Sequence, residues 1–251
     1  LANFIWDLLT LFPESVSGYV DAGVLGQARK KEVLTVRVHD IRDFTMDKHR
    51  TADDYPYGGG EGMVLKPEPI FRAVDHIRER VPDTRVILMS PQGRRFDQKR
   101  ARQLAEDARP VTLICGRYEG VDERVVKHLA EEEISIGDYV ISGGELAALV
   151  VLDAVSRCVP GVVGDPDSVT RDSFFGGLLK HPQYTRPEIY RGFRVPEVLL
   201  SGHHEQIRRY QRYKSLEKTW LNRPDLIENA VLSEEDRVML NRIRLEQKTR
   251  G

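Results

Sequence analysis

The sequence predicts an α/β domain on a largely parallel sheet, followed by a small helical domain. Three observations predict it. Short apolar runs alternate with helical patterns from the start of the chain to about Val162. The stretch PGVVGDPDSVTRDSFFGG (160–177) then has no period and is rich in Pro, Gly, Ser and Asp, as a linker would be. The remainder turns helical and basic, with 15 Lys and Arg against 10 Asp and Glu from Ser173 onward. The expected division is an α/β domain over 1–162, a linker over 163–172 and an all-α domain over 173–251.

The elements follow in order. IWDLLTLF (5–12) reads as a first buried strand, with a helix from Pro13 to about Arg29 behind it. VLTVRVHDI (33–41) alternates and reads as a second strand. A long glycine-rich loop, DDYPYGGGEGMVLKPEP (53–69), leads into a helix over 68–80. TRVILMS (84–90) is the third strand and FDQKRARQLAEDA (96–108) a helix. VTLICGR (111–117) is the fourth strand and VDERVVKHLAEE (121–132) a helix. ISIGDYVIS (134–142) is the fifth strand, with Ile136, Tyr139, Val140 and Ile141 as its buried residues, and ELAALVVLDAVSRCV (145–159) is a strongly apolar helix. Beyond the linker, 203–230 and 233–250 read as helical, with Ser233 as an N-cap.

Composition narrows the class. Hydrophobic residues are 40% and charged residues 31%, ordinary for a globular protein, and no apolar run is long enough for a bilayer. The start, LANFIWDLLTLFPE, lacks a basic leader and is not read as a secretory signal. Cys115 and Cys158 sit in apolar surroundings and read as reduced core residues, which points to the cytoplasm. The charge asymmetry has two readings, an anionic partner for the basic end or a solvated helical surface.

Three strands end in similar punctuation: MSPQG, CGRYEG and SIGDYVISGGE. In an open parallel sheet such loops meet at the carboxyl edge, where ligands bind. No P-loop string and no G-x-G-x-x-G spacing occurs. The loops instead bring Glu119, Asp122, Asp138 and Glu145. Carboxylates repel a triphosphate but suit ribose hydroxyls, an amino group or a sulfonium. S-adenosylmethionine has all three. For Asp122 and Glu145, helix capping is the favoured reading.

The strings LTLFPE, YGGGEGM, SPQG, CGRYEGVDER, SIGDYVISGGELA, DSFFGGLL, YTRPE, VPEVLLSGHH and IRRY occur in one order along the chain. In that order the sequence resembles the bacterial tRNA (guanine-N1)-methyltransferases, the TrmD family of the SPOUT class. The resemblance covers nearly the whole chain. It implies a SPOUT-type parallel sheet with a deep trefoil knot, where periodicity alone draws an ordinary doubly wound sheet. It implies a homodimer with the active site at the subunit interface. The reaction implied is methyl transfer from S-adenosylmethionine to N1 of guanine at position 37 of tRNA, 3′ to the anticodon. By motif match, the cofactor would lie against Ser90, Pro91, Gln92 and Gly93, then Gly116, Tyr118 and Glu119. The third loop would add Ile136, Gly137, Asp138, Tyr139, Val140, Ile141, Gly143 and Gly144.

The match makes Asp172 the general base and Arg157 the positive group near the guanine. Arg208, Arg209, Arg212, Lys214 and Lys218 would meet tRNA phosphates. Tyr210, Tyr213 and Trp220 read as core rather than stacking platforms, and His203 and His204 as capping or tRNA-contacting residues. The resemblance implies a dependence on magnesium, yet no carboxylate constellation reads as a metal cage. Tyr55, Glu61 and Lys180 depart from the family pattern, Lys180 standing where many members carry an acid. The alternative reading is a non-catalytic RNA-binding regulator on the same fold. A nucleotide hydrolase is disfavoured by the missing P-loop.

Overall fold

The computed structural model of the chain describes residues 3–165 and 171–248. It divides into two compact units, Leu1–Pro166 and Asp167–Gly251. The middle of the expected linker, 166–170, lies outside the described residues, as do 1–2 and 249–251.

The first unit runs β1 (Phe4–Thr10), α1 (Glu14–Val20), α2 (Gly23–Lys30), β2 (Leu34–Asp40), β3 (Asp53–Asp54), β4 (Val64–Leu65), α3 (Pro67–Arg80), β5 (Arg85–Arg95), α4 (Gln98–Asp107), β6 (Val111–Cys115), α5 (Glu123–His128), β7 (Glu132–Ser135) and α6 (Gly144–Ser156). Five strands form one sheet in the order β2-β1-β6-β5-β7, every neighbouring pair parallel. Successive side chains of a strand point to opposite faces, so each strand feeds two cores. Trp6, Leu8, Ile87 and Leu113 pack on one face with residues of α1, α2, α4 and α6. Leu9, Val86, Leu88 and Ile114 pack on the other with α3 and α5. Trp6 lies fully buried and donates its indole N–H to Ser156 Oγ at 3.2 Å, joining β1 to the end of α6.

Three sequence expectations shift here. The helix expected over 13–29 breaks at Asp21–Ala22 into α1 and α2. Glycines at 18, 23 and 26 weaken a continuous helix there, each by about 1 kcal/mol against alanine. The third strand runs on to Arg95, but Met89 and Arg94 both face Ile134, so Ser90–Gly93 bulge out between them. The fifth strand stops at Ser135. Its expected buried residues Tyr139, Val140 and Ile141 are 56%, 85% and 36% exposed. Turn chemistry wins over strand propensity there: Ser135 Oγ accepts from Gly137 N–H at 3.2 Å and donates to Gly137 C=O at 3.1 Å.

The second unit holds β8 (Ile189–Tyr190), β9 (Phe193–Arg194), α7 (Glu197–Leu200), α8 (His204–Asn222), α9 (Pro224–Asn229) and α10 (Glu234–Lys248). The β8–β9 hairpin corrects the all-α expectation. The core joins α8, α9 and α10 through Leu216, Ile227, Met239, Leu240 and Ile243. Tyr213 and Trp220 pack against it, as read from the sequence. Ser233 and Asp236 exchange side-chain-to-backbone bonds at 2.9 and 3.1 Å, a reciprocal cap at the start of α10. His203 occupies the N-cap position of α8 without a side-chain cap bond.

The segment 172–180, running from the end of the expected linker into the second domain, is tied to α8. Leu178 is buried in the helical core, Leu179 N–H donates to Thr219 Oγ1 at 2.9 Å, and Ser215 Oγ donates to Leu179 C=O at 2.5 Å.

Candidate active site

Because β5 lies between β6 and β7, the carboxyl ends of three strands stand side by side. The segments leaving them frame one cleft in the first unit. The bulge of β5 gives Ser90, Pro91 and Gln92. The turn after β6 gives Gly116, Tyr118 and Glu119. The loop after β7 gives Ile136, Gly137, Tyr139, Val140, Ile141, Gly143 and Gly144. Of the residues singled out in the sequence, Gly93 and Asp138 lie off this cleft. Gly93 borders a separate depression beside Glu131–Glu133, and Asp138 faces solvent.

Backbone conformation shapes the cleft. Gly137 has φ 151°, and a Cβ there would lie 2.5 Å from Tyr139 Cε1, so the ring folds down on a bare backbone. Tyr118 is held at φ 57°, a left-handed conformation costing a non-glycine residue about 1 kcal/mol, with its ring half exposed over the cleft. The glycine-rich loop reaches the rim through β4. Glu119 N–H donates to Met63 C=O, Leu65 N–H to Gly120 C=O, and Asp122 N–H to Leu65 C=O, each at 3.0 Å.

The loop acids take different roles. Asp122 caps α5, accepting from Arg124 N–H at 2.9 Å. Bonds from the Arg124 side chain and backbone hold its carboxyl below the usual range. Glu145 is not a cap, which corrects the sequence reading. It is 3% exposed, accepts from Thr10 Oγ1 at 2.6 Å and from Arg117 Nε at 3.2 Å. Beneath the cleft, burial and the Glu145 charge push the Cys115 thiol well above its ordinary value. It stays a protonated core residue.

The chain matches the family model for tRNA (guanine-1)-methyltransferase TrmD over residues 4–229. It is 53% identical over 240 residues to a tRNA (guanine-N(1)-)-methyltransferase of Dictyoglomus turgidum, covering 96% of each chain. It is 52% identical over 242 residues to one of Dehalococcoides mccartyi, covering 96% of this chain and 97% of that one. A Myxococcus xanthus relative of the same name is 52% identical over 236 residues, 94% of this chain and 95% of that one.

The chain belongs to the TrmD family.

The family's expected catalytic pair falls in different units. In this TrmD-family chain Arg157 is the C-cap of α6, its N–H donating to Asp153 C=O at 3.0 Å. Asp172 belongs to the second unit, where Lys180 Nζ lies 2.9 Å from its Oδ1. Lys180 N–H also donates to Ser173 Oγ at 3.0 Å, so backbone and ammonium together close the 172–180 turn.

The basic residues of α8 are unequal. Arg212 makes two bonds to Asp236, at 2.7 and 2.8 Å, and these, with the cap of Ser233, pull that carboxyl down to about 2. Arg209 pairs with Glu235 at 3.1 Å and Lys214 with Glu217 at 2.6 Å. Part of the helix's charge is thus spent inside the unit, Arg212 above all. Arg208 and Lys218 face solvent and, among the described residues, have no ion-pair partner. No helix among the described residues is long and apolar enough to cross a membrane, and no three His, Cys, Asp or Glu side chains among them gather as metal ligands.

Sequence reasoning placed Arg117 in a cofactor loop without a role of its own, passed over Thr10 and misread Glu145. Arg117 stands inside the string CGRYEG, and Thr10 is the polar break in the apolar run LLTLF. Neither signal names a partner, since their meeting depends on β1 lying next to β6.

Proposed function

We propose that this chain transfers a methyl group from S-adenosylmethionine to N1 of guanine in tRNA, at position 37, next 3′ to the anticodon. The observation that carries the reading is the convergence of three family motifs on one cleft, in a chain that has no phosphate-binding string. The residues there fit such a donor. Tyr118, Tyr139, Val140 and Ile141 leave apolar surface uncovered around the cleft, suited to a flat base, and Glu119 stands at the rim for hydroxyl or cationic groups. The donor, when bound, supplies an electrophilic methyl group.

The chain's own residues supply the rest. N1 of guanine carries a proton at neutral pH, so attack requires a base, and Asp172 takes that role. A carboxylate is a weak base for this proton. Arg157 offsets the mismatch by stabilising the charge that develops toward O6. Arg208 and Lys218 hold tRNA phosphates, which positions the substrate without reading its sequence.

The same reading makes the enzyme a cytoplasmic homodimer. Leu146 and Val150, one turn apart on α6, are 64% and 48% exposed, and a second copy would cover them. The family reading also gives the segment between β7 and α6 a knotted path. The names of the relatives favour an enzyme over a non-catalytic RNA-binding regulator.

Transfer of labelled methyl to tRNA transcripts tests the reading. Transcripts with guanine after the anticodon should be labelled, and those with adenine there should not. No transfer to any tRNA sinks it.

A further inference from the structure

We propose that Glu145 is a positioning residue whose buried carboxylate locks Arg117 across the junction of two cleft loops and so sets the cleft's width. The inference rests on the cleft being the methyl-donor site. It starts from a cost. A carboxylate 3% exposed has lost its water and needs compensation. Three sources are present. Thr10 Oγ1 donates from the end of β1 at 2.6 Å. Arg117 donates Nε to Oε1 at 3.2 Å, and its Nη2 lies 3.0 Å from Oε2. Glu145 also sits in the first turn of α6, where the helix dipole favours a negative charge. Oε2 is close to Nη2 but not aligned for a hydrogen bond, so the pairing there is electrostatic rather than directed.

Arg117 carries that anchorage across to the loops. Its Nη1 donates to Ser142 C=O at 3.2 Å, and its guanidinium lies over the Phe12 ring, 4.4 Å from the centroid. Arg117 and Gly143 form an isolated antiparallel bridge, and Gly144 N–H donates to Gly116 C=O at 2.8 Å. The loop after β6 is thereby zipped to the loop entering α6. The zip is as tight as glycine permits. A Cβ on Gly144 would lie 2.8 Å from Cys115 Cα, and one on Gly143 would lie 2.5 Å from both Arg117 Cζ and Glu145 Oε2. Arg117, Gly116, Gly143 and Gly144 all line the cleft, whereas Glu145 does not. Glu145 therefore acts on a ligand only through the loops it holds.

Three full-length proteins test this: wild type, Glu145→Gln, and Glu145→Gln with Arg117→Met. S-adenosylhomocysteine affinity is read by calorimetry, thermal stability by scanning, and loop closure by hydrogen exchange at the Gly144 amide without ligand. Glu145→Gln should weaken binding about tenfold or more, the value of one charge-assisted contact, and speed Gly144 exchange. The double variant removes the stranded charge, so its stability should recover while its affinity stays weak. That split separates positioning from mere stabilisation. Unchanged affinity in Glu145→Gln overturns the proposal, and so does joint recovery of stability and affinity in the double variant. If wild type itself fails to bind S-adenosylhomocysteine, the donor reading falls. Gly144 exchange then decides the lock alone, and an unchanged rate in Glu145→Gln overturns it.

Discussion

Glu145 and Asp172 are both carboxylates ion-paired with a basic side chain, and the two units treat them in opposite ways. Glu145 is sealed, its side chain 4% exposed against Arg117 at 22%. Asp172 is 39% exposed and Lys180 34%. A sealed pair is costly to break, because the surviving charge stays out of water. A half-exposed pair is cheap to open, because water replaces the lost partner. The first arrangement suits a group that must fix the shape of a cleft. The second suits a group that must leave its partner and meet a substrate.

The sharpest way to break the comparison is at Asp172. Asp172→Asn keeps the shape and removes the basic oxygen. Single-turnover methyl transfer should fall about 10²–10⁴-fold, the usual worth of general-base catalysis. S-adenosylhomocysteine affinity should be unchanged, since Asp172 is not among the residues that line the donor cleft. Full activity in Asp172→Asn would falsify the base assignment.

Next in size is removal of the sealed carboxylate. Glu145→Ala leaves Arg117 and Thr10 without their partner, and the first unit should lose about 3–5 kcal/mol. The chain has two tryptophans, Trp6 in the first unit and Trp220 in the second. In a Trp220→Phe background, urea unfolding followed by Trp6 fluorescence reports the first unit alone. An unfolding midpoint equal to that of the background would mean that burial of Glu145 costs as much as its contacts return.

The contrast also explains what was legible in the sequence. The five sheet strands and the apolar helix α6 could be read because hydrophobic period is a local signal. The cleft loops were visible as glycine punctuation, and the family strings assigned them. The conformation of 136–141 was not legible. Its apolar residues look like strand, but they are held open by a two-residue hydrogen-bonded turn at Ser135 and Gly137. Glu145 was misread because a helix-start acid has two uses, and only the neighbouring strands decide between them. Its partners lie 28 and 135 residues away. The anchoring of the turn over 172–180 was not legible, because its anchors, Ser215 and Thr219, belong to a helix distant in sequence.

Acid offers a third, smaller test, in the second unit. Bonds from Arg212 and the cap at Ser233 hold the Asp236 carboxyl at about 2, below its ordinary 3.8. A depressed carboxyl contributes its full stability above the ordinary value and loses it as pH falls through the depressed one. The contribution is on the order of 1–2 kcal/mol once the half-exposed Arg212 is discounted for screening. Urea midpoints measured from pH 5 down to about pH 2 should therefore decline. In Asp236→Asn that part of the slope should vanish. An identical slope in both proteins would place the acid sensitivity elsewhere.

The smallest effect is expected at Lys180, and it bears most directly on the comparison. If the Asp172–Lys180 pair is one that opens readily, Lys180→Ala should change stability by no more than about 1 kcal/mol. The backbone anchors at Leu179 and the burial of Leu178 hold the turn without the ammonium. Lys180→Glu sets a second negative charge beside the carboxylate, which raises its proton affinity, so methyl transfer should be no slower than in Lys180→Ala, with stability again little changed. Stability and single-turnover rate measured on the same three proteins distinguish the cases. A loss of several kcal/mol in Lys180→Ala would show that this pair, like that of Glu145, is built to stay closed, and that Asp172 is held rather than released.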